Sequence, residues 1–284
     1  MILKILFRLT KLIAPLLPVM LLAVIFGTLG FICAISIPVF GIFTLFQVQK
    51  TGEQMLKFLV LIGILRGIFH YLEQYCNHFI AFTILARIRS IVFKKLRELG
   101  PAKLETNKKG NLIAILTSDI ELLELFYAHT ISPVCIAFFV NLICLIFMTH
   151  FSLFLSFIAF AAYFFISVLI PLSIQKKSVK LGTNQREAFS SMNSFLLDLM
   201  YGLRQTILYG MGEKRHFQLA KKSEELSKIQ GSLAKHEGNT SAFIESSVLI
   251  FDIIMLAASV ILFSKNLIDF KSMILCNVLL FSSF

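Results

Sequence analysis

The sequence predicts an all-α polytopic membrane protein of six helices, with two of the connections between them drawn out into long helical hairpins on the cytosolic side. Three observations carry this. The chain is 57% hydrophobic and 15% charged over 284 residues, with a mean hydropathy of +0.83, which is more apolar surface than a soluble fold can hide. Twenty-two of its 27 Lys and Arg lie in three stretches, the first eleven residues, Arg87 to Lys109 and Lys176 to Lys235. Cations concentrated in this way hold their loops on the cytoplasmic face. Finally, the helical patterns bearing these cations are longer than a bilayer is thick. The net charge of +11 therefore points to anionic lipid headgroups, because the cations flank bilayer-length segments and alternate with Glu and Asp. That placement argues against nucleic acid as a partner.

Residues 1–17 read as an interfacial elbow helix. Lys4, Arg8 and Lys11 share one face, and Leu3, Ile5, Leu6 and Leu9 occupy the others. A basic start followed by apolar residues resembles a signal peptide, but the apolar run continues to about Phe46 without a small-residue cleavage site, so the segment is read as retained. The membrane domain, residues 18–284, opens with a span from Val19 to Phe46, in which Gly27, Gly30 and Gly41 allow close helix contact and Pro38 predicts a kink. Gln47 to Glu53 is the first outer turn.

The second helix extends from Leu56 to Leu99, about 66 Å against roughly 30 Å of hydrocarbon. Beyond the bilayer its apolar stripe continues through Leu85, Ile88, Ile91, Val92 and Leu96 up to the Gly100-Pro101 break. Asn111 to Met148 repeats the excess, at about 57 Å, and a tight outer turn falls at His150. Phe151 to Pro171 is the fourth span. Lys176 to Tyr209 is its cytosolic continuation, with Leu181, Phe189, Met192, Phe195, Leu196 and Met200 on one stripe. Gly210 and Gly212 make the second inner turn, Phe217 to Lys235 leads back, and Ala242 to Phe263 is the fifth span. The last apolar run, Met273 to Phe284, is only about 18 Å long as a helix, so the sixth span is expected to be truncated.

Six spans with two elongated inner hairpins is the plan of the ATP-binding-cassette exporter membrane domain of type 1, and local motifs resemble that family. Gly110-Asn111-Leu112 with Thr117-Ser118-Asp119-Ile120 looks like its Gly-x-Leu, Asp-[IV] pattern, and Gly202-Leu203-Arg204-Gln205-Thr206 through Tyr209-Gly210 to Glu213-Lys214 is similar to its approach to the second coupling helix. His70-Tyr71-Leu72-Glu73 with His78, and Leu123-Glu124 through Tyr127 to Ile131-Ser132-Pro133, resemble the membrane half of the bacterial exporter pair needed for cytochrome bd assembly. The subfamily motif often has Arg where this chain has His70 and Gln74.

The resemblance implies a domain-swapped bundle in the bacterial plasma membrane with a cytoplasmic N-terminus, working as a dimer with a second, related half-transporter. It implies export of cysteine or glutathione, or the handling of haem. Coupling helices that dock nucleotide-binding domains would lie at Pro101, Lys103, Leu104 and Glu105, within Pro101 to Thr106, and at Gly212, Glu213, Lys214 and Arg215, within Gly212 to Phe217. No Gly-x-x-x-x-Gly-Lys-[Ser/Thr] occurs, so ATP and Mg²⁺ would be held by a nucleotide-binding domain outside this sequence, and the chain is no ATPase by itself.

The densest set of intramembrane polar groups is Arg66, His70, Glu73 and Asn77, which fall within about 60° of one another on the second helix. Charges in hydrocarbon are stable only when paired or hydrated, so this face should line a cavity or an interface. Arg66 suits a substrate carboxylate, through forked hydrogen bonds, and His70 or His78 suits haem iron. The competing reading is that Arg66 and Glu73 neutralise each other and bind nothing. Asp252, seven residues after Glu245 in the fifth span, is the remaining substrate-binding candidate. The 30 Phe are read as lipid-facing and packing material.

Cys33, Cys76, Cys135, Cys144 and Cys276 lie in apolar segments without paired spacing and are read as small hydrophobes. Asn239-Thr240-Ser241 fits a glycosylation pattern but falls on the inner side. No serine nucleophile elbow, zinc-spaced His and Glu pair or dinucleotide loop occurs. The rival reading is a non-transporting membrane assembly or regulatory subunit, or a truncated gene product.

Overall fold

The computed structural model describes residues 14–99 and 127–284, and no β-strand occurs among them. Five helices are long and apolar enough to cross a bilayer, and a sixth is shorter. They are α1 (Leu17–Ile42), α2 (Glu53–Glu98), α3 (His129–Thr149), α4 (Leu153–Tyr201), α5 (Gly212–Ser264) and α6 (Phe270–Ser283). The chain divides into two compact units, residues 1–159 with 254–284, and residues 160–253.

In the first unit α1 and α2 are antiparallel. Phe40 and Phe58 meet edge to face at 5.2 Å and Phe26 stacks on Phe69 at 6.3 Å, whereas a straight helix would hold Phe40 and Phe58 about 27 Å apart. The chain therefore reverses near the outer turn expected at Gln47 to Glu53. It does so with no loop residue, because helical backbone runs from Leu17 to Leu99. The segment Gln47 to Gln54 has one Gly and no Pro, and its Gln, Lys and Glu are good helix formers, so nothing in it forces an open loop.

Pro38 lies inside α1 as expected. Thr28, Ser36 and Thr44 donate to the carbonyls four residues back at 2.7, 2.7 and 2.8 Å, which lets hydroxyls reside in an apolar helix. α3 and α6 complete this unit's core, where Ile136, Val140, Met148, Leu275 and Leu280 are buried. Asn277 Nδ2 of α6 donates to Ser259 Oγ at the end of α5 at 2.8 Å. The turn at His150 is as tight as predicted, since the Ser152 amide donates to the Met148 carbonyl at 3.1 Å and α4 begins one residue later.

α6 starts on a cap. The Asp269 carboxylate accepts from the Ser272 amide at 3.2 Å. Hydrogen bonding from Ser272 is the main reason its carboxyl is held below the usual carboxylate range. A group with a depressed folded pKa stabilises above its unfolded value and loses that contribution as pH falls through the folded value. Asp269→Ala should therefore lower the unfolding midpoint near neutral pH, by a helix-cap contribution of ~1 kcal/mol. The difference from wild type should shrink on acidification in a thermal melt.

The second unit is a helical hairpin whose register the side chains report directly. Ser178 Oγ and His236 Nε2 lie 2.9 Å apart, Lys222 Nζ donates to Ser191 Oγ at 2.8 Å, and Arg215 pairs with Asp198 at 3.5 Å. Phe195 lies under both Arg215 and Lys222, 5.8 Å from each cation. The residue numbers in each pair sum to nearly the same value, as antiparallel helices in constant register require.

Two sequence expectations are corrected in this hairpin. α4 ends at Tyr201, not Tyr209, because Gly202 leaves helical geometry at φ −92°, ψ 13°. A separate short helix, Leu203–Leu208, follows, and Gly210 turns the chain at φ +61°, where a side chain would be strained. The predicted stripe also divides: Leu181, Met192 and Phe195 are half-buried, while Phe189, Leu196 and Met200 are exposed. The stripe spans more arc than one facing helix covers.

Candidate functional site

The polar column of α2 is split by the packing around it. Arg66 is exposed, and His70 keeps 65% of its side chain accessible. Glu73 and Asn77, one and two turns further on, are 5% and 2% exposed. Their burial depends on Gly27 of α1. A Cβ there would clash with Ile136 Cδ1 and lie 3.2 Å from Glu73 Cγ, so the small residue at position 27 lets α1, α2 and α3 close tightly on the Glu73 stem.

Within the column, Asn77 Nδ2 donates to Glu73 Oε1 at 3.1 Å, and His70 Nδ1 lies 3.2 Å from Glu73 Oε2. Arg66 makes no ion pair among the described residues, so the expected alternative of Arg66 neutralising Glu73 is not what the structure forms. Side chains tilt toward a helix N-terminus, and the two residues are about 10.5 Å apart along the axis. Arg66 is carried away from Glu73, which turns to its nearer neighbours instead.

His78 stacks on Phe82 at 5.8 Å and meets His129 edge to face at 5.9 Å. His129 was not singled out in the sequence. It lies on the π-turn Tyr127–Ile131, and only the fold brings it to His78. Phe82 and His129 thus flank the His78 imidazole, whereas His70 is open on its outer side. Among the described residues no three His, Cys, Asp or Glu side chains converge as metal ligands.

Asp252 lies in the second unit, half-buried, with its shielded Oδ2 lacking a hydrogen-bond partner. Glu245, on the same face, is exposed. Cys76, Cys144 and Cys276 are buried, and Cys33 and Cys135 half-buried, in keeping with their reading as small packing groups.

Of the coupling candidates, Pro101, Lys103, Leu104 and Glu105 lie outside the described residues, as do Gly110 to Ile120 and Leu123-Glu124. Gly212, Glu213, Lys214 and Arg215 form the first turn of α5 rather than a separate helix. The separate helix at the hairpin tip is Leu203–Leu208, and the sequence signal for it was the flanking Gly202 and Gly210. Its apolar side is open: Leu203, Ile207, Leu208 and Tyr209 are 58%, 70%, 71% and 77% exposed.

Membrane-length helices, three of which overshoot a bilayer, together with a buried carboxylate column and a hairpin ending in a short exposed helix, define an all-α membrane-spanning domain. The chain belongs to the ABC transporter transmembrane region family, whose family model matches residues 2–283. It is 36% identical over 282 residues, 98% of its length, to a probable ABC transporter ATP-binding/permease protein of Haemophilus influenzae, of which it spans 51%. It is also similar to the glutathione/L-cysteine transport system ATP-binding/permease protein CydC of Haemophilus influenzae, at 22% identity over 63% of this chain and 31% of that protein. The Escherichia coli CydC protein is 24% identical over 52% of this chain and 26% of its own length. The chain thus spans about half the length of the first of these relatives and less of the other two.

Proposed function

We propose that this chain forms half of the translocation path of an ATP-driven exporter for a small thiol of the cysteine or glutathione kind, working beside a second, related half. Nucleotide-binding domains would supply ATP hydrolysis and dock on the cytosolic hairpins. The observation that carries the reading is the α2 column, in which Arg66, without an ion pair among the described residues, stands exposed two turns from a buried Glu73 and Asn77. A guanidinium in the apolar span costs ~3 kcal/mol or more unless it finds water or an anion, and a substrate carboxylate is the partner it suits. The similarity to the two CydC proteins supports a thiol as the molecule carrying that carboxylate.

Closure of the nucleotide-binding domains would reach the spans through α4 and α5. Side-chain pairs join them at Ser178 and His236, Ser191 and Lys222, and Asp198 and Arg215, over a length of about 30 Å. The exposed apolar tip Leu203–Leu208 offers the surface on which such a domain would press.

The reading is tested on the complete transporter in proteoliposomes by the thiol concentration that gives half-maximal ATPase stimulation. Arg66→Ala should raise that concentration at least tenfold, as loss of a charge-assisted hydrogen-bond pair implies. Equal loss of basal and stimulated hydrolysis would assign Arg66 a structural role instead.

A further inference from the structure

The closed end of the α2 column has more acceptors than donors, and this determines what it can bind. The Glu73 carboxylate receives one amide N–H from Asn77 and faces one imidazole nitrogen. The two helical stretches that approach it through Gly27 and Ile136, Leu17–Ile42 and Ser132–Thr149, contain no charged residue. Asn77 Oδ1 is buried with no hydrogen-bond partner, and so is Ser132 Oγ, on residues 2% and 1% exposed.

The register places these groups together. Gly27 touches both Glu73 and Ile136, and His78 meets His129, so α2 and α3 run antiparallel with Glu73 level with Ile136. Ser132, four residues before Ile136, is then level with Asn77, four residues after Glu73. A carboxylate, an amide carbonyl and a hydroxyl oxygen are gathered in one apolar junction. Leaving such acceptors unpaired is costly. An ammonium group carries three N–H donors and a compensating charge.

We propose that the column binds a zwitterion, with its ammonium group at Glu73, Asn77 and Ser132 and its carboxylate at Arg66. This rests on the reading above that the column lines a substrate path with Arg66 at the carboxylate, and it adds the ammonium subsite at Glu73, Asn77 and Ser132. Arg66 and Glu73 are about 10.5 Å apart along the helix, and the reach of both side chains sets the ligand between a free amino acid and a short peptide. His70, exposed between them and touching the carboxylate, is the side chain that must swing for the ammonium to enter. A molecule lacking either charge would leave one end of the column unpaired, so the site selects against simple amines and simple acids alike.

The test is calorimetric titration of the complete transporter in lipid nanodiscs. The probes are L-cysteine, N-acetyl-L-cysteine without the ammonium, cysteamine without the carboxylate, and L-serine and glycylglycine as zwitterions without a thiol. L-cysteine should bind at least tenfold more tightly than either of its one-charge analogues. Glu73→Gln should remove the preference over N-acetyl-L-cysteine, and Arg66→Gln the preference over cysteamine, each leaving the weaker analogue within about twofold of wild type.

Ser132→Ala removes one acceptor without touching the charge, and should cut the ammonium preference if Glu73→Gln fails to fold. Equal weakening of all probes by Glu73→Gln, wild-type indifference to N-acetylation, or no binding of any zwitterion would overturn the proposal. L-serine and glycylglycine binding as tightly as L-cysteine, with the same dependence on Glu73, would sustain the zwitterion site and remove the thiol reading. Thiol binding that ignores both charges would do the reverse.

Discussion

Replacing Gly27 by Leu is expected to abolish the folded membrane domain. Even a Cβ at position 27 would clash with Ile136 Cδ1 and meet Cγ1 at 2.8 Å, and three further carbons would have to displace the Glu73 stem and the α3 contact. Small overpacking costs about 1–3 kcal/mol, and a leucine here adds the loss of the Glu73 and Asn77 hydrogen bond in an apolar setting. Gly27→Ala should be tolerated with a lowered melting temperature, because Ile136 ends in a methyl group that can turn aside. Gly27→Ala combined with Ile136→Val should recover part of that loss. Melting of purified protein in detergent, followed by size-exclusion, checks this; a Gly27→Leu protein that elutes and melts as wild type would show that the three helices do not close as described.

Reversing charge at the tip of the second hairpin should uncouple transport from nucleotide hydrolysis. Arg215 is a poor choice for this, since it pairs with Asp198 and lies over Phe195, so its loss would loosen the lever itself. Glu213→Lys with Lys214→Glu changes the exposed first turn of α5 and spares that clamp. Ile207→Asp with Leu208→Asp tests the exposed short helix in the same way. If nucleotide-binding domains dock here, each pair should cut thiol transport into inverted vesicles at least tenfold and leave ATP hydrolysis unresponsive to substrate. Unchanged transport in both would remove the docking assignment.

How much of this was legible in the sequence varies with the range of the physics involved. The spans, the overlong helices and the tight turn at His150 follow from hydropathy, 3.6-residue periodicity and helix rise, which are local properties. The reversal between α1 and α2 was legible as a position, although its loop-free form was not, because Gln47 to Gln54 favours helix as much as turn. The four-residue column on α2 was readable from spacing alone.

Its division into an open cation and a buried acid was not. That depends on Gly27 and Ile136, which approach from other helices and carry no polar signature. His129 and Ser132 were missed for the same reason, since each acquires meaning only through the register of α3 against α2. The limits of the α4 stripe and the helix Leu203–Leu208 turn on the geometry of Gly202, which the sequence reading carried through as part of a continuous helix to Tyr209.

The central proposal is one of topology: position 214 lies on the cytosolic side and positions 150 and 266 on the outer side. Single cysteines at positions 150, 214 and 266, in a variant with the five native cysteines replaced, can be labelled in intact cells with an impermeant maleimide. The account predicts labelling at 150 and 266 from outside, and at 214 only after the membrane is opened. Labelling of 214 in intact cells, or of all three from the same side, would contradict it.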